Sequence, residues 1–174
     1  MTHDLQQTII DVTEMTCETL AFMFPMPAPE EGIDPGEQCH EDLVRTRVRF
    51  DGPFEGSLVV TIPRSMLRSL AANMLGLKPQ ATTRDQRADA ACELCNVVCG
   101  NLLPAVAGTE PVFSVSPLRL CEAPPCPDSA DCVSARAWFD EGWVEVQFSV
   151  DAGLDTVRRP EEGGPGPTDL RSVA

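Results

Sequence analysis

The sequence predicts an α+β fold in which helices pack on one face of a mainly antiparallel sheet. Two observations carry that expectation. Apolar residues recur at helical spacing near the N-terminus and again in two central windows, while runs of period two flank those windows in hairpin-like pairs. The chain has 174 residues, 43% of them hydrophobic, enough to close one core.

Residues 4–23 place Leu5, Ile9, Val12 and Leu20 at helical intervals. FPMPAPEEGIDPG must end that helix, because clustered proline and glycine cannot continue it, and residues 25–42 read as a polar loop. LVRTRVRF and GSLVVTIP are strand-like, with Arg45, Arg47 and Arg49 interleaved among apolar and β-branched residues, and Asp51-Gly52 suits a tight turn between them.

Pro63 suits the first turn of a second helix, PRSMLRSLAANMLG, and Gly76 suits its end. Thr82 or Thr83 can cap a third helix, with Asp85 in its first turn and Pro104 closing it after about residue 103. Residues 112–120 read as a strand that Pro117 bends or confines to an edge. CEAPPCPDSAD is a loop, and CVSARAWF and WVEVQFSV, separated by DEG, form a closing hairpin. One domain over residues 1–154 is expected, followed by a Gly/Pro-rich, charged tail, residues 155–174, expected to be disordered.

With 13 basic against 27 acidic residues the net charge is -14, which repels phosphate backbones and anionic lipid. Nucleic acid and membrane are therefore not expected partners. The N-terminus lacks the basic start of a secretory signal, no apolar run approaches the length of a membrane span, and a cytoplasmic protein is expected. Its 8 cysteines are then expected to be reduced.

The third helical window holds the stretch DAACELCNVVCGN. At about 100° per residue, Asp89, Glu93, Asn96 and Gly100 share one arc, and Ala91, Cys95, Val98 and Leu102 share a nearly opposite one. A solvated polar face is the ordinary reading of such a stripe. An exposed Asn and a Gly inside a helix are less ordinary, since both weaken it; Gly costs about 1 kcal/mol relative to Ala.

Cys92, Cys95 and Cys99 lie on one flank of the apolar arc and read as compact core residues rather than metal ligands, which would converge from separate elements. CHEDLVR has the C-x5-R spacing of cysteine phosphatases, but Glu41 and Asp42 would repel a phosphate and a strand follows instead of a helix. His3 and His40 lie in segments expected to be mobile and read as spectators.

Asp89-x3-Glu93-x2-Asn96, followed by Gly100-Asn101, resembles the signature of the CheC/CheX/FliY chemotaxis phosphatases. The resemblance extends over RVRFDGPFEGSLVVTIPRSMLRSLAANMLG, over VFSVSPLRL and over the closing hairpin, in all about residues 4–152. In the first helix Ile10, Glu14 and Cys17 stand where a second motif would place Asp, Glu and Asn. A single-motif, CheX-like protein is therefore the nearer match.

The resemblance implies a CheC/CheX-like fold and hydrolysis of the aspartyl phosphate on a phosphorylated CheY-type receiver. Asn96 would orient the attacking water, and Glu93 would pair with the receiver's active-site lysine. Asp89 and Gly100 would lie on the docking surface. No metal or cofactor is implied on this chain, since the Mg²⁺ belongs to the receiver domain. Family members can be homodimers, and a CheX-like adaptor without activity is the alternative reading. A zinc-binding structural module is a third.

Overall fold

The computed structural model describes residues 2–29, 43–121 and 132–151. The first helix, α1 (Thr2–Ala21), turns Ile9, Val12 and Cys17 inward at the spacing of a single apolar stripe. The chain leaves it through Phe22, whose φ is 52°. Where the sequence suggests loop, Pro25 and Met26 form a two-residue strand, β1, paired with Phe139 and Trp138. Proline is admissible there because β1 lies at the sheet edge. Residues 30–42, the rest of the expected loop, are outside the described residues.

β2 (Leu43–Asp51) and β3 (Gly56–Pro63) form the expected antiparallel pair, with Val48 opposite Leu58. Their connection is wider than a tight turn. Asp51 stays in β2, paired with Ser114, and Phe54 folds inward to meet Phe50 edge-on at 5.9 Å between ring centroids. Helix α2 (Leu67–Leu75) starts later than expected: Pro63 ends β3, and its carbonyl accepts from Met66 N–H in a turn. Gly76 caps α2 at a φ of 65°.

Helix α3 (Arg84–Ala107) opens on a capping box: the Thr83 hydroxyl accepts from Gln86 N–H, and the Gln86 side chain accepts from Thr83 N–H. Pro104 does not close it. The helix continues through Ala107, and Gly108 N–H donates to the Pro104 carbonyl at 2.9 Å. An interior proline costs about 3 kcal/mol. Packing of Val106 and Ala107 against the core offsets part of that cost.

The expected strand over residues 112–120 is two short ones, β4 (Ser114–Val115) and β5 (Arg119–Cys121), both paired with β2 and separated by residues 116–118, which include Pro117. β6 (Cys132–Phe139) and β7 (Gly142–Val150) form the closing hairpin. Residues 122–131, the remainder of the expected loop, and residues 152–174, which include the expected tail, lie outside the described residues.

The strands follow the order β1-β6-β7-β3-β2-β4, with β5 also on β2, and every pairing is antiparallel. Register aligns Val48, Leu58, Phe148 and Val133 as one buried row across the sheet. The helices cover that face: α3 lies over β2 and β3, α1 over β6 and β7, and α1 packs against α3. On the opposite face Arg136 bonds Glu145 at 2.8 Å and lies 4.3 Å from the centroid of Trp143. Among the described residues α3 alone has the length and composition of a membrane span, against the expectation that no apolar run comes near that length. Its apolar side is buried in the core, and its outer side carries Asp85, Asp89 and Glu93.

Candidate functional site

Helix α3 divides as the sequence pattern indicates. Ala90, Ala91, Leu94, Cys95, Val98, Cys99, Leu102 and Leu103 are buried. Asp89, Glu93, Asn96 and Gly100 are all exposed. Residues three or four apart on a helix keep their Cβ atoms about 5–6 Å apart, so Glu93 and Asn96 stand side by side and Asp89 lies one turn before Glu93. Among the described residues, none is hydrogen-bonded or ion-paired to the side chain of Glu93 or Asn96. A carboxylate and an amide are thus both free to meet another molecule.

The helix beneath them is anchored at several points. The cap at Thr83 fixes its start. Cys95 Sγ lies 3.9 Å from the Thr46 carbonyl of β2, and Asn101 Nδ2 donates to Thr16 Oγ1 of α1 at 3.1 Å. Gly100 continues the exposed stripe, and a Cβ built on it meets no atom within 4 Å. Packing among the described residues therefore does not explain this glycine.

The first helix offers no second site of this kind. Cys17, at the position that would need an exposed Asn, is fully buried, and burial pushes its thiol up to about 12. Glu14 is only half-exposed, and Ile10 carries no charge. Of the three cysteines of α3, Cys95 and Cys99 are core residues and Cys92 is half-buried. Burial pushes Cys95 up to about 12 and Cys99 up to about 11, while burial and then the Asp89 carboxylate raise Cys92. Such thiols stay protonated at neutral pH and make poor nucleophiles or ligands. No three His, Cys, Asp or Glu side chains converge as a metal-ligand set among the described residues.

Two features were not anticipated. Asn101 is half-buried and ties two helices together, a role that no periodicity argument assigns to a polar residue beside the stripe. Pro104 lies inside α3, one turn beyond Gly100, on the exposed side.

The geometry defines a class first: an antiparallel sheet backed by helices, the longest of which holds an unpaired acid and amide toward solvent. Comparison with known proteins then gives the family. Residues 44–120, from β2 through α3 to β5, match the family described as chemotaxis phosphatase CheX. The CheX of Desulfovibrio desulfuricans superposes with a TM-score of 0.62 at 16% identity, covering 85% of this chain and 99% of the other. The CheX of Vibrio vulnificus gives 0.64 at 13% identity, over 87% and 99% of the two chains. The CheX of Borrelia burgdorferi, in a complex with CheY, BeF3 and Mg²⁺, gives 0.60 at 12% identity over 83% and 96%. No curated protein matches the chain by sequence. By sequence the match to the chemotaxis phosphatase CheX family extends over residues 44–120, and over most of its length the chain shares the fold of these CheX structures.

Proposed function

We propose that this protein is a CheX-like phosphatase that hydrolyses the aspartyl phosphate of a CheY-type receiver. The observation that carries the reading is the exposed, unpartnered pair Glu93 and Asn96 on an anchored helix. The complex of the Borrelia burgdorferi CheX with CheY supports a receiver as the partner.

The chemistry suits these two groups. An acyl phosphate is already reactive, so hydrolysis lacks only a water held in line with the phosphorus. The Asn96 amide, which both donates and accepts, orients that water. The Glu93 carboxylate meets the ammonium of the receiver's active-site lysine and sets how deeply α3 enters the pocket. Asp89 adds to docking from the preceding turn. The Mg²⁺ that stabilises the phosphoryl charge is carried by the receiver, and no nucleophile is needed on this chain.

The test is phosphate release from a phosphorylated receiver, with and without this protein. Asn96→Ala should abolish the stimulated rate and largely keep binding, whereas Glu93→Ala should raise the half-saturating concentration. Undiminished stimulation by Asn96→Ala protein would refute the mechanism. Binding by the wild-type protein without stimulation would make it an adaptor.

A further inference from the structure

An interior proline does more than weaken a helix: it withdraws a donor from one particular carbonyl. In α3 the Gly100 carbonyl would ordinarily accept from the N–H of residue 104, and Pro104 has none. The proline ring also presses on the carbonyl four residues back and tilts it away from the axis. Gly100 itself is exposed, and the space above its Cα is empty. It lies one turn past Asn96 on the same face, about 6 Å along the axis. The docking stripe therefore ends in a backbone acceptor that residue 104 cannot pair, next to the exposed Pro104 ring.

We infer that Pro104 and Gly100 act together to present the Gly100 carbonyl as an acceptor for a hydrogen-bond donor of the docked receiver, a backbone N–H or a polar side chain beside its phosphorylation site. The inference rests on the receiver reading above. Glu93 engages a cation, Asn96 a water and Gly100 a donor, three points along one stripe of helix that together fix both the depth and the rotation of docking. Pro104 is a positioning residue here, because it acts only through the carbonyl of Gly100.

Pro104→Ala supplies the missing N–H and closes the helical bond onto Gly100. Its melting temperature should rise, because a helix breaker has been removed. Its half-saturating concentration for the phosphorylated receiver should rise about three- to tenfold, the range of one hydrogen bond, with the saturated rate unchanged. Pro104→Ser, which also carries an N–H, should raise the half-saturating concentration in the same way. An unchanged half-saturating concentration in both variants overturns the inference and leaves the phosphatase reading standing. A melting temperature below that of the wild type shows that Pro104 supports the helix, and likewise overturns it. Absence of any receiver binding or stimulation by the wild-type protein removes both.

Discussion

Asn101 joins α3 to α1 through one side-chain bond, its Nδ2 donating to Thr16 Oγ1 at 3.1 Å. Thr16 is buried and Asn101 half-buried, so water competes poorly for the pair. Helix α3 carries the candidate site, and this bond lies one residue beyond Gly100. Thr16→Val keeps the shape and removes the hydroxyl. It should cost about 1 kcal/mol, as should Asn101→Ala. In a double-mutant cycle by urea unfolding, the coupling should be on the order of 0.5–1.5 kcal/mol. Strict additivity would show that the two helices are held by apolar packing alone.

Gly56 exists for clearance. A Cβ there would run into the Ser149 carbonyl and the Phe50 ring. Gly56 sits between those residues in register, with Phe50 on β2 and Val150 on β7 as its neighbours, and the Phe50 ring stacks on Phe148 at 5.4 Å. Gly56→Ala must push strands or rings apart, and should destabilise by about 1–3 kcal/mol. Denaturation midpoints of the two proteins measure this, and an unchanged midpoint would contradict the close packing of β3 at that end.

Glu141, in the turn between β6 and β7, is raised to about 7, first by partial burial and then by the adjacent Asp140. Its folded value lies above the ordinary 4.5, so the folded state holds the proton more tightly than the unfolded chain. Stability from this group is present at low pH and is lost as pH rises through about 7. Glu141→Gln should therefore be more stable than the wild type at pH 8 and equal to it below about pH 4. The gain should be small, on the order of a few tenths of a kcal/mol, because the turn is exposed. Urea midpoints across the pH range decide it; a difference that is largest in acid would reverse the sign of the argument.

Much of this was legible from residue order, for physical reasons. The stripe of Asp89, Glu93 and Asn96 follows from helical periodicity, and burial of Ala91, Cys95, Val98 and Leu102 on the other side follows from the same rule. Strand β2 announces itself by the alternation of Arg45, Arg47 and Arg49 with apolar and β-branched residues, and β3 by its apolar, β-branched run. What escaped were features set by tertiary packing. Pro104 is a local stop signal, overridden because Val106 and Ala107 pack against the core. Asp51-Gly52 is a local turn signal, overridden because Phe54 turns inward. β1 is two residues long and too short for any period to register; it forms only because β6 supplies an open edge.

Gly100 allows stability and docking to be set against each other. Its Cβ position is open, so Gly100→Ala meets no clash among the described residues and should stabilise α3 by about 0.5–1 kcal/mol. The added methyl projects from the stripe that holds Asn96 and Glu93, into the space a docked receiver would occupy. The variant should therefore melt at a higher temperature than the wild type while its half-saturating concentration for the phosphorylated receiver rises. A bulkier replacement, Gly100→Leu, should keep the fold and weaken docking further. The two readouts must move in opposite directions. Should Gly100→Leu protein stimulate phosphate release with wild-type affinity, the stripe of α3 beyond Asn96 is not part of the docking surface, and the glycine serves the helix in some other way.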